Sequence, residues 1–317
     1  MTAPHSSERP QVDVAVVTWN TAELSAEALR RLLDTDQGCV LRLLVRDNGS
    51  TDGTADVLRE LVPEAELDAG SENLGFAAGV NTLLARSTAP WVLLLNSDAW
   101  PEPGAIGALL DAARARPRAA AIAPRLLRPD GSLEHSTFPF PSLRIATLMA
   151  FWRRRLSHER AEELMLEDDW AHDRARQVDW AVGAALLLRS EALAEIGGFD
   201  ESFFMYVEDL EWCWRASRKG WDIWFEPSAI VRHVGNASGA QRYGERRTRT
   251  YMTNTYRFYR REHGALAALA YRGLNLAGSS LRYVGARGAR DADLAHYWRI
   301  QVAANLPRSS ARRHRRD

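Results

Sequence analysis

Three short polar runs of this chain contain acidic side chains of the kind that bind ligands or move protons. Asp47 lies in "DNGSTDGT", Asp98 in "LNSDA", and Glu208 and Asp209 in "VEDLEWCWR". A carboxylate can accept a hydrogen bond from a nucleobase, bind a divalent cation or take a proton from a hydroxyl group. His233 adds an imidazole, which suits Mn²⁺ better than Mg²⁺. Each run alone is weak evidence, because Asn-Gly and Asp-Gly pairs usually mark turns.

The elements around these runs predict how they come together. Apolar runs of strand length alternate with segments of helical periodicity over residues 11–127, which favours a mainly parallel sheet with helices on both faces. In such a sheet, ligands bind beyond the carboxyl ends of the strands. Four polar clusters fall at those ends, at 18–20, 47–48, 73–76 and 96–98.

The predicted elements follow the apolar runs. We expect strands at 11–17, 40–46, 65–69, 91–99 and 119–127. Asn20 and Glu23 have capping-box spacing, which predicts that the first helix starts at Asn20. The run "VEDLEWCWRASRKG" predicts a later helix that ends at Gly220. Glu211 and Arg215 on that helix are four residues apart and are expected to form a surface ion pair.

The overall composition narrows the class of protein. Lys plus Arg and Asp plus Glu both total 41, so net charge indicates no partner, although the last ten residues carry five arginines and one acid. Cys39 and Cys213 are far apart and lack metal-ligand spacing, which fits a reducing, cytoplasmic compartment. The N-terminus lacks the apolar stretch of a signal peptide. Residues 264–288 come nearest to a membrane span but are interrupted by Arg and Asn, so we expect a helix or helix pair there.

Six motifs carry a resemblance to a known family: "VVTWN", "DNGSTDGT", "ENLGFAAGVN", "LNSDA", "GAALLLRSEALAEIGGFDE" and "FFMYVEDLEWCWR". In this order they resemble the motifs of family 2 glycosyltransferases with the GT-A fold, and above all those of bacterial rhamnosyltransferase-type enzymes of cell-wall and polysaccharide synthesis. The resemblance extends over residues 12–240 and is less clear beyond them. It implies an α/β chain whose mainly parallel nucleotide-binding sheet is flanked by helices and followed by a C-terminal helical extension.

This resemblance also implies a division of the chain. Residues 11–127 would form the nucleotide-sugar-binding half of a GT-A domain, and 128–235 the acceptor-binding and catalytic half. Residues 236–303 would form the helical extension. Residues 1–10 and the basic tail 304–317 are expected to be disordered.

For donor binding, the resemblance implies a set of residues at the sheet edge: Thr18, Trp19, Asn20, Asp47, Asn73, Gly75, Phe76, Asn96 and Ser97. Asp47 would accept the imide N–H of uracil or thymine, although a turn-capping role would also explain it. Trp19 would line the base pocket or else pack in the core. At Gly75 the missing side chain would let the backbone approach the ligand.

The run "NSD" stands where the family has its Asp-x-Asp metal motif. Asn96 replaces the first acid, so the resemblance leaves Asp98 as the metal ligand. His233 lies where related enzymes place a metal-binding histidine, but a single histidine after a strand is usually structural. The implied cofactor is a divalent metal, Mn²⁺ or Mg²⁺, with the diphosphate of the donor and water completing its ligands.

For catalysis, the resemblance makes Asp209 the base, and Glu208 beside it is the other acidic candidate. Adjacent helical residues point about 100° apart, so both cannot face the cleft. A single base implies direct attack and inversion, since retention needs a second carboxylate as nucleophile. Acids in a first helical turn also complement the helix dipole, which is the structural alternative. Trp180 and Gly183 resemble the acceptor wall of the family, though Trp180 equally fits a core position.

The sequence therefore predicts an inverting, metal-dependent glycosyltransferase that uses a dTDP- or UDP-sugar, with dTDP-rhamnose as the leading donor, and a saccharide or lipid-linked saccharide acceptor. Transfer from a UDP-hexose or UDP-galactofuranose, and a binding module without turnover, are the alternatives. The basic runs 151–156 and 304–317 predict peripheral contact with the inner face of the cell membrane, or else a solvated surface. No folded motif supports nucleic-acid binding, and the oligomeric state is left open, with a homodimer as one possibility.

Overall fold

The computed structural model describes residues 10–165, 170–235 and 240–306. The predicted tails 1–10 and 304–317 lie almost entirely outside these residues. The strands are β1 (Gln11–Thr18), β2 (Val40–Asp47), β3 (Glu66–Ala69), β4 (Trp91–Asn96), β5 (Ala99–Pro101), β6 (Ala119–Leu127), β7 (Leu133–Glu134), β8 (Thr137–Phe138), β9 (Arg176–Val178), β10 (Trp180–Ala181), β11 (Ala185–Arg189) and β12 (Asp222–His233). The helices are α1 (Ala22–Leu33), α2 (Thr54–Leu61), α3 (Phe76–Leu84), α4 (Ala105–Arg114), α5 (Leu143–Thr147), α6 (His158–Glu163), α7 (Ser190–Ile196), α8 (Glu208–Arg218), α9 (Ala240–Gly288) and α10 (Ala292–Asn305).

One large mixed sheet organises the strands. Its order is β3-β2-β1-β4-β11-β6-β12-β5, with β7 beside β6 and β9 beside β12. The run β3-β2-β1-β4 is parallel, as is the pair β6-β12, whereas β11 is antiparallel to both of its neighbours. β8 and β10 form a separate antiparallel ribbon. The predicted α/β fold with a mainly parallel sheet and flanking helices is thereby confirmed.

The central strands form because their side chains are buried on both faces. Val14 and Val16 of β1 are fully buried in the core that also holds Leu29 of α1 and Leu109 of α4, and Ala15, which points to the opposite face, is fully buried as well. Parallel strands covered by helices on both sides require such continuous apolar runs. The carboxyl ends of β1, β2 and β4 are thereby fixed side by side, which is where the polar clusters begin.

The start of α1 differs from the capping-box prediction. The helix begins at Ala22 with Thr21 as its N-cap, and Thr21 makes no capping hydrogen bond. Asn20 lies before the helix at φ 52°. Its side-chain oxygen instead accepts a hydrogen bond from the N–H of Thr51 at 2.8 Å. A partner from the turn after β2 therefore replaces the local partner that the spacing suggested.

Contacts divide the described chain into two compact units, one of residues 10–140 and 158–241 and the other of 141–157 and 242–306, apart from the undescribed segments. In the second unit, α9 is broken at Gly264 (φ 84°, ψ 169°), so a separate helix follows it, as expected for 264–288. Arg282 of that helix donates a hydrogen bond to the carbonyl of Met149. No helix in the described segments combines the length and the apolar character that crossing a membrane requires.

Candidate active site

The ends of β1 and β2 form the first part of the candidate site. Thr18 lies opposite Asp47 in the register of the two strands. Asp47 is 2% exposed. Its Oδ1 accepts hydrogen bonds from the hydroxyls of Thr18 at 3.0 Å and Ser50 at 2.5 Å, and its Oδ2 accepts one from the N–H of Ser50 at 3.0 Å. Asp47 thus caps the turn, and its Oδ2, which accepts one of these hydrogen bonds, has a second lone pair.

The residues around this turn hold it rigidly. The N–H of Asn20 donates to the hydroxyl of Ser50 at 2.8 Å, which links the loop after β1 to the turn after β2. Trp19 is half-buried in the same loop. Ser97, after β4, lies 3.5 Å from the hydroxyl of Thr21. The donor-binding roles of Trp19, Asn20 and Ser97 stay predictions, but the structure places all three at the predicted edge of the sheet.

The turn before α3 packs against the end of β2. The Asn48 amide donates to the carbonyl of Gly75 at 2.9 Å, and Asn73 Oδ1 accepts from the N–H of Gly75 at 2.9 Å. Gly75 has φ 87°, and a Cβ there would lie 2.5 Å from the carbonyl oxygen of Phe204. The N–H of Phe76 donates to that same oxygen at 2.8 Å. Only glycine fits here, because both the backbone angle and the close loop exclude a side chain.

A second polar group lies where β4 ends and β5 pairs with β12. His233 is opposite Ala99 in that pairing, which brings the preceding residue, Asp98, beside the imidazole. His233 Nε2 is 3.3 Å from Asp98 Oδ1 and 3.3 Å from the amide nitrogen of Asn96. Its Nδ1 is 2.9 Å from Glu134 Oε2. His233 and Asp98 are 8% and 7% exposed, so this cluster is almost closed to solvent.

Two carboxylates decide the charge of this histidine. Burial opposes its protonation, but hydrogen bonds and charge from Asp98 and Glu134 outweigh burial and raise the pKa of His233 to about 9. At neutral pH and without a cation, His233 is therefore an imidazolium between two carboxylates. A metal ion that used Nε2 would have to displace this proton.

The donor atoms fit a divalent cation only in part. Within 10–165, 170–235 and 240–306, no group of three or more His, Cys, Asp or Glu side chains is arranged to hold a metal by itself. Asp98 and His233 offer one oxygen and one nitrogen, a mixed set that suits Mn²⁺. A cation held by these two residues would need further oxygens, which a bound diphosphate and water can supply.

The third group is the start of α8. Val207 is the N-cap in a left-handed conformation, with φ 81° and ψ −10°. Asp209 is half-buried and faces Gly183, whose N–H donates to Asp209 Oδ2 at 3.0 Å. The N–H of Leu210 donates to Oδ1 at 2.8 Å. Glu208 is 5% exposed, and its buried Oε2 has no hydrogen-bond partner among the residues that the structure describes. Asp209 is therefore the acid that reaches the surface, whereas Glu208 points inward.

Burial sets the protonation of this pair. It raises the pKa of Asp209, and the hydrogen bonds from Gly183 and Leu210 offset only part of the effect. It also raises the pKa of Glu208 well above its usual value, and the neighbouring charge of Asp209 adds to the effect. A neutral Glu208 next to an ionised Asp209 is the arrangement that these two directions favour.

The three groups share one edge of the sheet. Thr18 and Val17 of β1 pair with Asp47 of β2 and Asn96 of β4 respectively. The N–H of Asn96 donates to the carbonyl of Ala184 at 2.9 Å, directly after Gly183. A Cβ on Gly183 would lie 3.6 Å from the Phe76 ring and 3.8 Å from Asp209 Cβ. The predicted residues from β1, β2, β4, α3 and α8 are thus linked through neighbours over one continuous rim.

Trp180 lies beside this rim in the ribbon of β8 and β10. It is 5% exposed, stacks on Phe138 at 4.8 Å and donates its ring N–H to the carbonyl of Pro139 at 3.1 Å. These contacts show the core-like packing that the sequence left open. The role of Trp180 at an acceptor stays a prediction.

Sequence reasoning missed or misplaced two carboxylates. Glu134 was not predicted as a site residue, although "RPDGS" between two apolar runs indicates a hairpin that places Glu134 at the sheet. Glu211 was expected on the surface, but its side chain is 3% exposed and bonds Arg215 at 2.9 Å. That expectation was wrong because Arg215 also donates to the carbonyls of Ile196 and Gly198, which fold the loop after α7 over the pair.

A GT-A sheet that gathers these groups at its strand ends defines a class of protein, the glycosyltransferases. The chain belongs to glycosyltransferase family 2: the profile described as "Glycosyltransferase like family 2" matches residues 10–253. The N-acetylglucosaminyl-diphospho-decaprenol L-rhamnosyltransferase of Mycobacterium tuberculosis is 36% identical over 213 residues, which cover 62% of this chain and 68% of that protein. The rhamnosyltransferase-like resemblance of the motifs is thereby confirmed.

Two further proteins are similar to this chain. The pre-mycofactocin glycosyltransferase of M. tuberculosis is 30% identical over 210 residues, 66% of this chain and 40% of that protein. The mannosyltransferase PcManGT from Pyrobaculum calidifontis, solved in complex with GDP-Man and Mn²⁺, matches with a TM-score of 0.56 and 19% identity over 95% of this chain and 88% of that one. At this identity, the second likeness supports the fold alone.

Proposed function

We propose that the chain is an inverting, divalent-metal-dependent glycosyltransferase of the hexosyltransferase type. It moves a sugar, L-rhamnose from dTDP-rhamnose in the leading case, to a saccharide or lipid-linked saccharide. The observation that carries the proposal is the shared rim of the sheet, where neighbouring elements position Asp47, Asp98 and Asp209. The relative named for L-rhamnose transfer to a diphospho-decaprenol supports the choice of donor and acceptor.

In this proposal the end of β2 receives the base of the nucleotide. The free acceptor position on Asp47 Oδ2 takes the imide N–H of uracil or thymine, and Thr18 and Ser50 hold the carboxylate still. Gly75 admits the Phe204 loop against the turn before α3, which holds that turn in place beside the end of β2. Preorganised donors and acceptors of this kind lose little entropy on binding.

The centre of the rim receives the diphosphate and the cation. Asp98 and His233 would hold Mn²⁺ or Mg²⁺, with Asn96 near the nucleotide sugar. The cation would supply Lewis-acid stabilisation of the charge that develops on the leaving diphosphate.

At the start of α8, Asp209 takes the proton of the attacking acceptor hydroxyl. Gly183 and Leu210 orient its two oxygens through backbone hydrogen bonds. Its raised pKa strengthens it as a base, because a carboxylate of higher proton affinity accepts a proton more readily. Glu208 is 5% exposed and points inward, so it does not offer the second nucleophilic carboxylate that retention would need.

A lipid-linked acceptor would bring the protein to a membrane surface, and the second unit has side chains that suit one. Phe151 and Trp152 are 48% and 43% exposed and precede Arg153 and Arg155. Exposed aromatics next to arginines suit the headgroup region of an anionic bilayer. Sedimentation with anionic vesicles should therefore weaken in the Phe151→Ser, Trp152→Ser double variant and on deletion of 304–317. Equal sedimentation in all three proteins would contradict the contact.

The donor can be identified with the purified chain. A thermal-shift screen of UDP-, dTDP- and GDP-sugars with Mn²⁺ should show the largest rise in Tm for the true donor, since a ligand that binds only the folded state stabilises it. Consumption of that donor in the presence of acceptor extract then tests turnover. Binding without consumption under any acceptor condition would overturn the enzyme proposal and leave a nucleotide-sugar-binding protein.

A further inference from the structure

Glu134 lies on the β6–β7 hairpin and approaches the His233 ring at Nδ1, whereas Asp98 lies at Nε2. In this hairpin β6 turns into β7, and the N–H of Arg128 donates to the carbonyl of Ser132 at 2.8 Å. Glu134 pairs with Leu126, and Leu126 pairs on its other side with Val231 of β12, two residues before His233. Three adjacent strands therefore set the distance between Glu134 and the imidazole.

The contact between the two side chains fixes which ring nitrogen carries hydrogen. Glu134 Oε2 is 2.9 Å from His233 Nδ1, and a carboxylate oxygen can only accept. Nδ1 must therefore be the donor, in the neutral ring as well as in the imidazolium. In the neutral ring the lone pair then lies on Nε2, the nitrogen that faces Asp98 and Asn96.

We propose that Glu134 is a positioning residue for His233: its carboxylate accepts the Nδ1 hydrogen and so presents the Nε2 lone pair toward Asp98, where a divalent cation binds. The inference rests on the proposed metal-dependent function and extends it beyond the residues that would touch the cation. A carboxylate on the far nitrogen of a metal-binding histidine holds the ring orientation and makes the ligating nitrogen more basic.

Asp98 and Glu134 have different positions, so their roles are not interchangeable. Asp98 is 7% exposed and lies just after the end of β4, at the shared rim. The side chain of Glu134 is 24% exposed and contacts the ring at Nδ1, on the side away from Asp98 and close to Gly235. Asp98 can therefore share a cation with Nε2, whereas Glu134 can act on that cation only through the imidazole.

The test is an Mn²⁺ titration of the full chain, followed by the electron paramagnetic resonance signal of free Mn²⁺, alone and with UDP, dTDP or GDP. We expect Glu134→Ala to weaken Mn²⁺ binding about 10- to 100-fold, the usual effect of removing such a partner. Glu134→Gln keeps an uncharged acceptor for the Nδ1 hydrogen, so its loss should be smaller. Glu102→Ala is the matched control, because Glu102 bonds the adjacent Arg232 at 2.7 Å and should leave the affinity within twofold of wild type.

A second measurement separates positioning from general damage to the fold. In the ¹⁵N-histidine-labelled chain without a cation, at a pH above about 9 where the ring of His233 is neutral, we expect His233, identified by comparison with His233→Ala, to show a single Nδ1–H tautomer. In Glu134→Ala it should show a mixture at a pH where the melting temperatures still indicate a folded protein. If Glu134→Ala fails to fold, Glu134→Leu, which fills similar space without an acceptor, replaces it in this comparison.

The outcomes distinguish this inference from the function on which it rests. Mn²⁺ affinity within twofold of wild type in Glu134→Ala, together with a loss in His233→Ala, would overturn the role of Glu134 alone. No effect in His233→Ala would overturn the ligand role of His233 and the inference with it. Neither result depends on donor consumption, the assay that tests sugar transfer.

Discussion

Replacement of Asp209 by Asn tests the assignment of the catalytic base. The amide cannot accept a proton from the acceptor hydroxyl, so we expect kcat to fall by about 10²- to 10⁴-fold, or roughly 3–5 kcal/mol of barrier. The donor residues lie on other elements, so the affinity for the nucleotide sugar should change by less than about threefold, under 1 kcal/mol.

The substitution also has a structural effect that must be measured separately. Both oxygens of Asp209 accept backbone hydrogen bonds, from Gly183 and Leu210, so the amide nitrogen of Asn would face one of these donors. Leaving one buried donor without a partner costs about 1–3 kcal/mol. Loss of the buried charge offsets part of this cost, since burial disfavours the ionised form. We therefore expect a folded protein with a modest decrease in Tm.

The assay is donor consumption at saturating donor over a range of pH, with donor affinity measured by calorimetry. Wild-type turnover should fall as pH drops through the pKa of Asp209, which lies above the usual aspartate value because of burial. Glu211→Gln is the control in the same helical turn: it breaks the pair with Arg215, so it should lower Tm and leave the turnover of folded enzyme unchanged. Turnover of Asp209→Asn within tenfold of wild type would place the base elsewhere.

Three further predictions follow from the same geometry. Burial raises the pKa of Glu208, so its contribution to stability is present at low pH. That contribution is lost as pH rises from the unfolded-state pKa, about 4.3, through the raised pKa of the folded state. The Tm of Glu208→Gln relative to wild type should therefore climb with pH, and a constant difference in Tm would contradict this. Gly75→Ala would push the Phe204 loop away and should raise KM for the donor several-fold more than Gly53→Ala, whose Cβ would meet no atom of the described residues within 4 Å. Equal effects would refute the close approach. Apparent Mn²⁺ affinity should rise as pH approaches 9, because the proton on His233 competes with the cation, and a flat profile would exclude Nε2 as a ligand.

Much of the fold was predictable because the apolar runs are unambiguous. The strand predicted at 119–127 is β6 with the same limits, and 11–17 differs from β1 by one residue. The prediction of a single strand at 91–99 was wrong, since the chain leaves β4 at Asn96 and returns as β5 to pair with β12. The break occurs because β5 pairs with β12, more than a hundred residues later in the chain. Local periodicity carries no information about that partner.

The candidate site was predictable at the level of residue types but not of contacts. The family resemblance named Asp98 and His233, and the sheet brings them together through β5 and β12. Glu134 completes the group from 99 residues before His233, and no local pattern links the two. Likewise, both Glu208 and Asp209 were candidates until the helix phase showed which of them is buried.

The left-handed turn at Val207 has a consequence for how the enzyme could be altered. A β-branched residue rarely adopts this conformation, so helix α8 starts where the incoming loop forces it to start. Adding or deleting one residue between Asp209 and the fully buried Leu210 would rotate the first helical turn by about 100° relative to the packed face of α8 and direct a different side chain toward Gly183. The number of residues between the acids and the packed face of α8 is thus as strict a requirement as the acids themselves, and engineering that preserves every motif letter but changes this number would exchange a half-buried carboxylate for an inward one.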